Sequence, residues 1–146
     1  MAYRHHGQIR FHQTDAAGVV YFATVLELCH VAYEAALAEA GIPLSLHFSA
    51  QGDEILPITS AQIDFRRPLR CGDPYWVDVE PQLTSPEGFT LHYQVYLQSS
   101  GTLAAVASTQ HLCLHPLTRQ KQALSIALRD WIQQTNATPI PPAKGS

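Results

Sequence analysis

Charge is scarce in this sequence. Only 14% of its 146 residues are Asp, Glu, Lys or Arg, against a globular norm of about 25%. With 46% apolar residues the chain is not disordered. It has little polar surface to show to water, which predicts an oligomer. No basic block is present and the net charge is −3, so nucleic-acid binding through phosphates is disfavoured. Long hydrophobic runs are missing too. The longest, Ala16 to Leu26, is broken by Thr24 and falls short of the ~20 residues a membrane span needs. The opening Met1-Ala-Tyr-Arg-His-His lacks the apolar core of a signal peptide. Cys29, Cys71 and Cys113 are odd in number and far apart; they form no disulfide framework and suit a reducing cytosol. We therefore expect a cytoplasmic protein with no membrane or nucleic-acid partner.

Familiar chemical motifs are also absent. There is no GxGxxG, no GxxxxGK[ST] and no GxSxG, which disfavours hydride transfer, P-loop hydrolysis and the standard serine hydrolase. His111 and His115 on one strand face would stand about 13 Å apart, too far for one ion. Glu27-Leu-Cys-His30 has a metal-ligand spacing, but a diiron bundle needs a second copy, and the sequence has none. Cys113 between two His residues is about 6–7 Å from each in-strand neighbour of its face, too far for a thiolate–imidazole pair. We expect neither metal nor cofactor.

What is present alternates between two periods. Tyr3 to Gln13 reads as a strand, with Ile9 and Phe11 on one face. From Val19 or Phe22 to Ala40 the period is helical and apolar around most of the girth, as in a buried helix. Gly41 and Pro43 stop it. Residues 44–55 read as a loop. Period two returns after Pro57, in Ala61 to Arg66, in Tyr75 to Leu83, and most clearly in Phe89 to Gln98. The turns Ser85-Pro-Glu-Gly88 and Ser99-Ser-Gly101 separate these runs. A further run, Thr102 to His115, precedes a short amphipathic helix over Gln122 to Gln134, with Leu124, Ile126, Leu128 and Trp131 on its apolar face. This predicts an α+β domain over residues 1–134 and a Pro-rich tail over 135–146. The strands form an antiparallel meander of about five, wrapped around the one long helix.

One segment places acid chemistry beside a helix start. Asp15 stands in Thr14-Asp-Ala-Ala-Gly18, between the first strand and the apolar helix. Small residues let a ligand approach the backbone. The helix start beyond them offers free N–H groups and the positive end of the dipole. A carboxylate beside such donors is the minimum for hydrolysing an activated acyl group. Asp15 is equally well read as a helix N-cap or Asx-turn residue.

The stretch Phe11-His-Gln-Thr-Asp15-Ala-Ala-Gly18-Val-Val-Tyr-Phe22, followed by the long helix, resembles the opening motif of the 4-hydroxybenzoyl-CoA thioesterase family of hotdog-fold proteins. Phe65-Arg-Arg-Pro68, the Gly72-Asp73 turn and three meander strands agree, so the resemblance covers roughly residues 4–133. The chain looks most like the 1,4-dihydroxy-2-naphthoyl-CoA thioesterases of phylloquinone synthesis. It is also similar to the acyl-CoA thioesterases associated with the Tol–Pal system. The resemblance implies a hotdog fold, a homodimer or homotetramer with sites at subunit interfaces, and hydrolysis of an aromatic acyl-CoA. It makes Asp15 the catalytic carboxylate, Gly18 the close-approach turn, and the Phe22 backbone N–H the polariser of the thioester carbonyl. Tyr21 would line the acyl pocket by position, and Arg66, Arg67 or Arg70 would meet the CoA phosphates. Ala16 replaces the Pro of the 4-hydroxybenzoyl enzyme type, and Ser85-Pro-Glu-Gly88 replaces its basic cluster. A short-chain thioesterase, a dehydratase using His30 with Glu34 or Glu27, and a non-catalytic acyl-CoA-binding hotdog module remain as other readings.

Overall fold

The structure, a computed structural model, describes residues 3–136. All but the first two residues of the expected tail lie outside the described residues. Strands β1 (Tyr3–Gln8), β2 (Ile58–Phe65), β3 (Pro74–Ser85), β4 (Gly88–Leu97) and β5 (Leu103–Leu112) form one antiparallel sheet in the order β1-β3-β4-β5-β2. Helix α1 (Phe22–Glu39) lies across it, with the short α2 (Leu44–His47) and the C-terminal α3 (Ile126–Asn136) beside it. The alternation of β3 and β4 turns Tyr75, Val77, Val79, Tyr93 and Val95 into the core. There they meet Val25, Leu28, Cys29, Ala32 and Leu37 of α1. On the opposite face, Arg4 donates two hydrogen bonds to Asp78 at 2.7 and 2.9 Å and lies 4.7 Å over the Trp76 ring. That contact ties β1 to β3.

Five expectations need correction. The first strand does not reach Gln13. Arg10 N–H donates to the Gln13 side-chain oxygen at 2.8 Å and Gln13 N–H to the Arg10 carbonyl at 3.0 Å, which closes Phe11–Gln13 into a 3-10 turn, and Phe11 is left 81% exposed while Ile9 is buried. The meander holds for β3, β4 and β5 only. β2 pairs with β5 at the far edge, Ile58 opposite His111 and Phe65 opposite Ala105. β5 and β4 stand between β2 and β3, so the connection 66–73 crosses between non-adjacent strands and cannot be a hairpin. It is anchored by buried Leu69, whose carbonyl accepts from Val20 N–H at 2.7 Å, and by the Asp73 carbonyl, which accepts from Ile9 N–H at 2.9 Å. The apolar girth of α1 is covered on one side only: Phe22 and Val31 are exposed along with Glu27 and Glu34 of the polar stripe. The loop after Pro43 contains α2. Finally, α3 starts at Ile126, with Leu128 N–H donating to Ser125 Oγ at 3.3 Å. Its core face is Leu128, Trp131 and Ile132, and Ile126 is 79% exposed.

Candidate active site

The chain between β1 and α1 folds back on itself. Thr14 and Val20 form an antiparallel bridge. Asp15 N–H donates to the Val19 carbonyl at 2.9 Å and Gly18 N–H to the Asp15 carbonyl at 3.0 Å. This is a type I turn closed by a left-handed residue, the three-residue hairpin that favours Asp first and Gly fourth. Gly18 has φ +80°, and a Cβ there would meet nothing within 4 Å. The dihedral, not crowding, therefore selects glycine. The Asp15 carboxylate accepts the Ala17 N–H on Oδ1 at 2.8 Å. So Asp15 is an Asx-turn residue and not the N-cap, which is Tyr21. Its Oδ2 has no hydrogen bond among the described residues.

Tyr21 has extended dihedrals, φ −60° and ψ 139°, and sends its N–H to the Gln13 carbonyl at 3.2 Å. Thr24 N–H returns to the Tyr21 carbonyl at 2.9 Å. Phe22 is the first helical residue, so its N–H has no carbonyl of a preceding turn to bond and stands at the positive end of the dipole. Asp15, Tyr21, Phe22, Phe65, Arg66 and Arg67 border one cavity of about 460 Å³. Arg66 and Arg67 both donate their backbone N–H to the Ala104 carbonyl, at 2.8 and 3.1 Å. This fixes the chain where it leaves β2 and leaves both guanidinium groups exposed, with no carboxylate at ion-pair distance among the described residues. Gly18 supports the turn without bordering the cavity. Arg70 pairs with Val19 instead and does not border it.

A second cavity of about 400 Å³ opens at the other end of β2, between α1, α2 and β5. His30, Tyr33, His47, Phe48, Ile58 and His111 border it, with Glu34 at the rim. Tyr33 is hydrogen-bonded to His47, and its ring centre is 5.5 Å from His111 and 5.8 Å from Phe48. His111 stacks on Phe89 at 4.6 Å and is hydrogen-bonded through Nε2 to Thr109 at 2.8 Å. Burial, with His30 and His47 adding repulsion, lowers the His111 pKa to about 4. Burial also lowers that of His47. Both rings are therefore neutral at neutral pH. Nε2 of His30 is buried and has no hydrogen-bond partner.

The structure thus brings together Asp15, Tyr21, Phe22, Arg66 and Arg67. His30 and Glu34, considered above as a dehydratase pair, belong to the second cavity. Tyr33, His47 and His111 were not singled out for it, because positions 33, 47 and 111 share no motif and meet only through the fold. Cys113 is no thiolate: burial and the Glu54 carboxylate, 3.1 Å from its sulfur, push its pKa up to about 12. Among the described residues no three His, Cys, Asp or Glu are grouped to hold a metal ion, and no helix is long and apolar enough to cross a membrane.

A five-stranded antiparallel sheet curved over one long helix, with a carboxylate turn feeding the helix start, is the hotdog fold of acyl-thioester proteins. The chain belongs to the thioesterase-like superfamily, whose sequence profile matches residues 9–143. It is 44% identical over 133 residues to the 1,4-dihydroxy-2-naphthoyl-CoA hydrolase of Trichodesmium erythraeum, covering 90% of this chain and 96% of that one. To the enzyme of the same name from Synechococcus elongatus it is 46% identical over 127 residues, covering 87% and 92%. The crystal structure of a 1,4-dihydroxy-2-naphthoyl-CoA thioesterase from Synechocystis is similar at a TM-score of 0.87 and 33% identity, over 93% of this chain and 98% of that one.

Proposed function

We propose that the protein hydrolyses 1,4-dihydroxy-2-naphthoyl-CoA to the free acid and CoA, as the names of its relatives state for them. The observation that carries the mechanism is the shared cavity of Asp15, with one unengaged carboxylate oxygen, and the free N–H of Phe22. The thioester carbonyl accepts the Phe22 N–H, which stabilises negative charge as it develops on that oxygen. Asp15 then acts in one of two ways. As a nucleophile it attacks the carbonyl carbon, the C–S bond breaks, CoA leaves as the thiolate, and water hydrolyses the mixed anhydride. As a general base it takes a proton from the water that attacks. The thioester is already activated, so neither route calls on a redox group. Arg66 and Arg67 meet the CoA phosphates at the mouth, and Tyr21 borders the acyl path. The reaction belongs to phylloquinone synthesis, as the resemblance implies, and the cysteine usage supports a cytoplasmic setting.

The working unit in this reading is a homodimer joined through β2, alone or doubled into a tetramer. Exposed edge strands invite pairing. β2 is the longer free edge, with Ile58 44% and Phe65 51% exposed. The other edge, β1, exposes Arg4, His6 and Gln8.

The test is thiol release by the wild-type protein from 1,4-dihydroxy-2-naphthoyl-CoA, 4-hydroxybenzoyl-CoA and butyryl-CoA. The expected outcome is a kcat/KM at least tenfold higher on the first. Equal rates on all three would shift the reading to a general acyl-CoA thioesterase. Binding without turnover would favour a non-catalytic acyl-CoA module.

A further inference from the structure

The connection between β2 and β3 carries a carboxylate to which the hydrolysis gives no part. Arg70 to Asp73 form a turn that is closed twice. Asp73 N–H donates to the Arg70 carbonyl at 3.0 Å. The Asp73 carboxylate reaches back three residues and accepts the Arg70 N–H on Oδ2 at 2.8 Å, as the acid of a capping box does. Two neighbours rest on this turn. On one side is the end of β1, where Gly72 N–H donates to the Ile9 carbonyl at 2.8 Å and Ile9 N–H to the Asp73 carbonyl at 2.9 Å. On the other side is the Asp15 hairpin. Arg70 and Val19 form an antiparallel bridge, and Val20 N–H donates to the Leu69 carbonyl at 2.7 Å. The Val19 carbonyl in turn accepts the Asp15 N–H at 2.9 Å.

Resting on the thioesterase reading above, we propose that Asp73 is a positioning residue for Asp15: its carboxylate fixes the Arg70 backbone, which holds the Val19 arm of the hairpin and so keeps the Asp15 side chain at its cavity. The hairpin has no packing of its own to do this. Asp15, Ala16, Ala17 and Gly18 are all exposed, so hydrogen bonds to the 66–73 connection set where the turn stands. That connection is itself planted in the core by Leu69. The helix start is held separately. Tyr21 N–H bonds the Gln13 carbonyl and Thr24 N–H the Tyr21 carbonyl. Loosening the Arg70–Asp73 turn therefore displaces the carboxylate more than it displaces the Phe22 N–H. Such a displacement matters, because misplacing a reacting group by about 1 Å can cost about a hundredfold in rate.

Two measurements test this. The first is thiol release from 1,4-dihydroxy-2-naphthoyl-CoA by folded variants. In Asp73→Ala kcat falls about tenfold or more while KM stays within about twofold, because the binding surfaces are untouched. In Asp73→Asn the amide oxygen still accepts the Arg70 N–H, and kcat stays within about twofold of wild type. In an Asp15→Asn background, Asp73→Ala lowers the residual rate by less than about twofold, since a residue acting through another adds nothing once that other is gone. Asp73→Ser, whose shorter side chain also loses the bond, replaces Asp73→Ala if that variant does not fold. Wild-type kcat in the Ala or Ser variant, or an equal loss in both backgrounds, overturns the positioning role and leaves the thioesterase reading intact. The second measurement needs no turnover. Amide hydrogen exchange followed by NMR should speed up about tenfold at Asp15, Gly18 and Val20 in Asp73→Ala, and not at Tyr93 in β4. Unchanged exchange at those three amides overturns the brace whatever the activity. Failure of the wild type to release thiol from any acyl-CoA named above overturns the thioesterase reading, and with it the catalytic side of the proposal, even where the exchange responds.

Discussion

Asp15 uses one carboxylate oxygen to hold its own turn and keeps the other free. Substitutions can separate the two roles. In Asp15→Asn the amide oxygen can still accept the Ala17 N–H, so the melting temperature stays within about 2 °C of wild type. Asp15→Ala removes the acceptor and lowers it by several degrees, on the order of the ~4 °C that a 1 kcal/mol change produces in a domain of this size. Differential scanning calorimetry distinguishes these outcomes, and equal melting points for both variants would mean the Asx turn holds nothing. Gly18→Ala forces a Cβ into φ +80° and costs about 1–2 kcal/mol, read as a lower denaturant midpoint. The spacing Asp15-x-x-Gly18 was legible in the sequence because a turn is local. The division of labour between the two carboxylate oxygens was not, because it depends on which backbone N–H the folded loop presents.

Among the elements, β4 and α1 were the plainest to read. Phe89, Leu91, Tyr93 and Val95 alternate into the core, and Gly41 ends the helix with φ +79°. The pairing of β2 was hidden, because period two reveals which face a strand buries and not which neighbour it joins. The His cluster was hidden for a related reason: α1, α2 and β5 each contribute one imidazole. That cluster makes stability depend on pH. The unfolded chain takes up a proton at His111 near 6.5, while the folded chain resists until about 4. The neutral ring's contribution is therefore complete above about pH 6.5 and lost as pH falls toward 4. His47 and His5 shift in the same direction. The melting temperature should fall across that window and fall less steeply in His111→Phe. Parallel curves for the two proteins would contradict the assignment.

At the scale of the whole molecule, a helix covered on one side, the free outer edge of β2 and two cavities at its ends support the proposed homodimer. The low charge content, 14% of residues, points the same way, because a chain with few charges gains by hiding surface from water. A C2 contact through the middle of β2 sets each central residue near its own copy. Gln62→Lys therefore confronts two cations across the axis and should shift sedimentation toward the monomer, with thiol release falling in parallel. An unchanged sedimentation coefficient would exclude β2 as the joining edge. The central claim, that Asp15 performs the hydrolysis, is tested most directly by thiol release from 1,4-dihydroxy-2-naphthoyl-CoA in wild type and Asp15→Asn at matched fold. The account predicts a loss of about a thousandfold or more in kcat, as removal of a principal catalytic group produces. A folded Asp15→Asn protein that turns over within tenfold of wild type would contradict it.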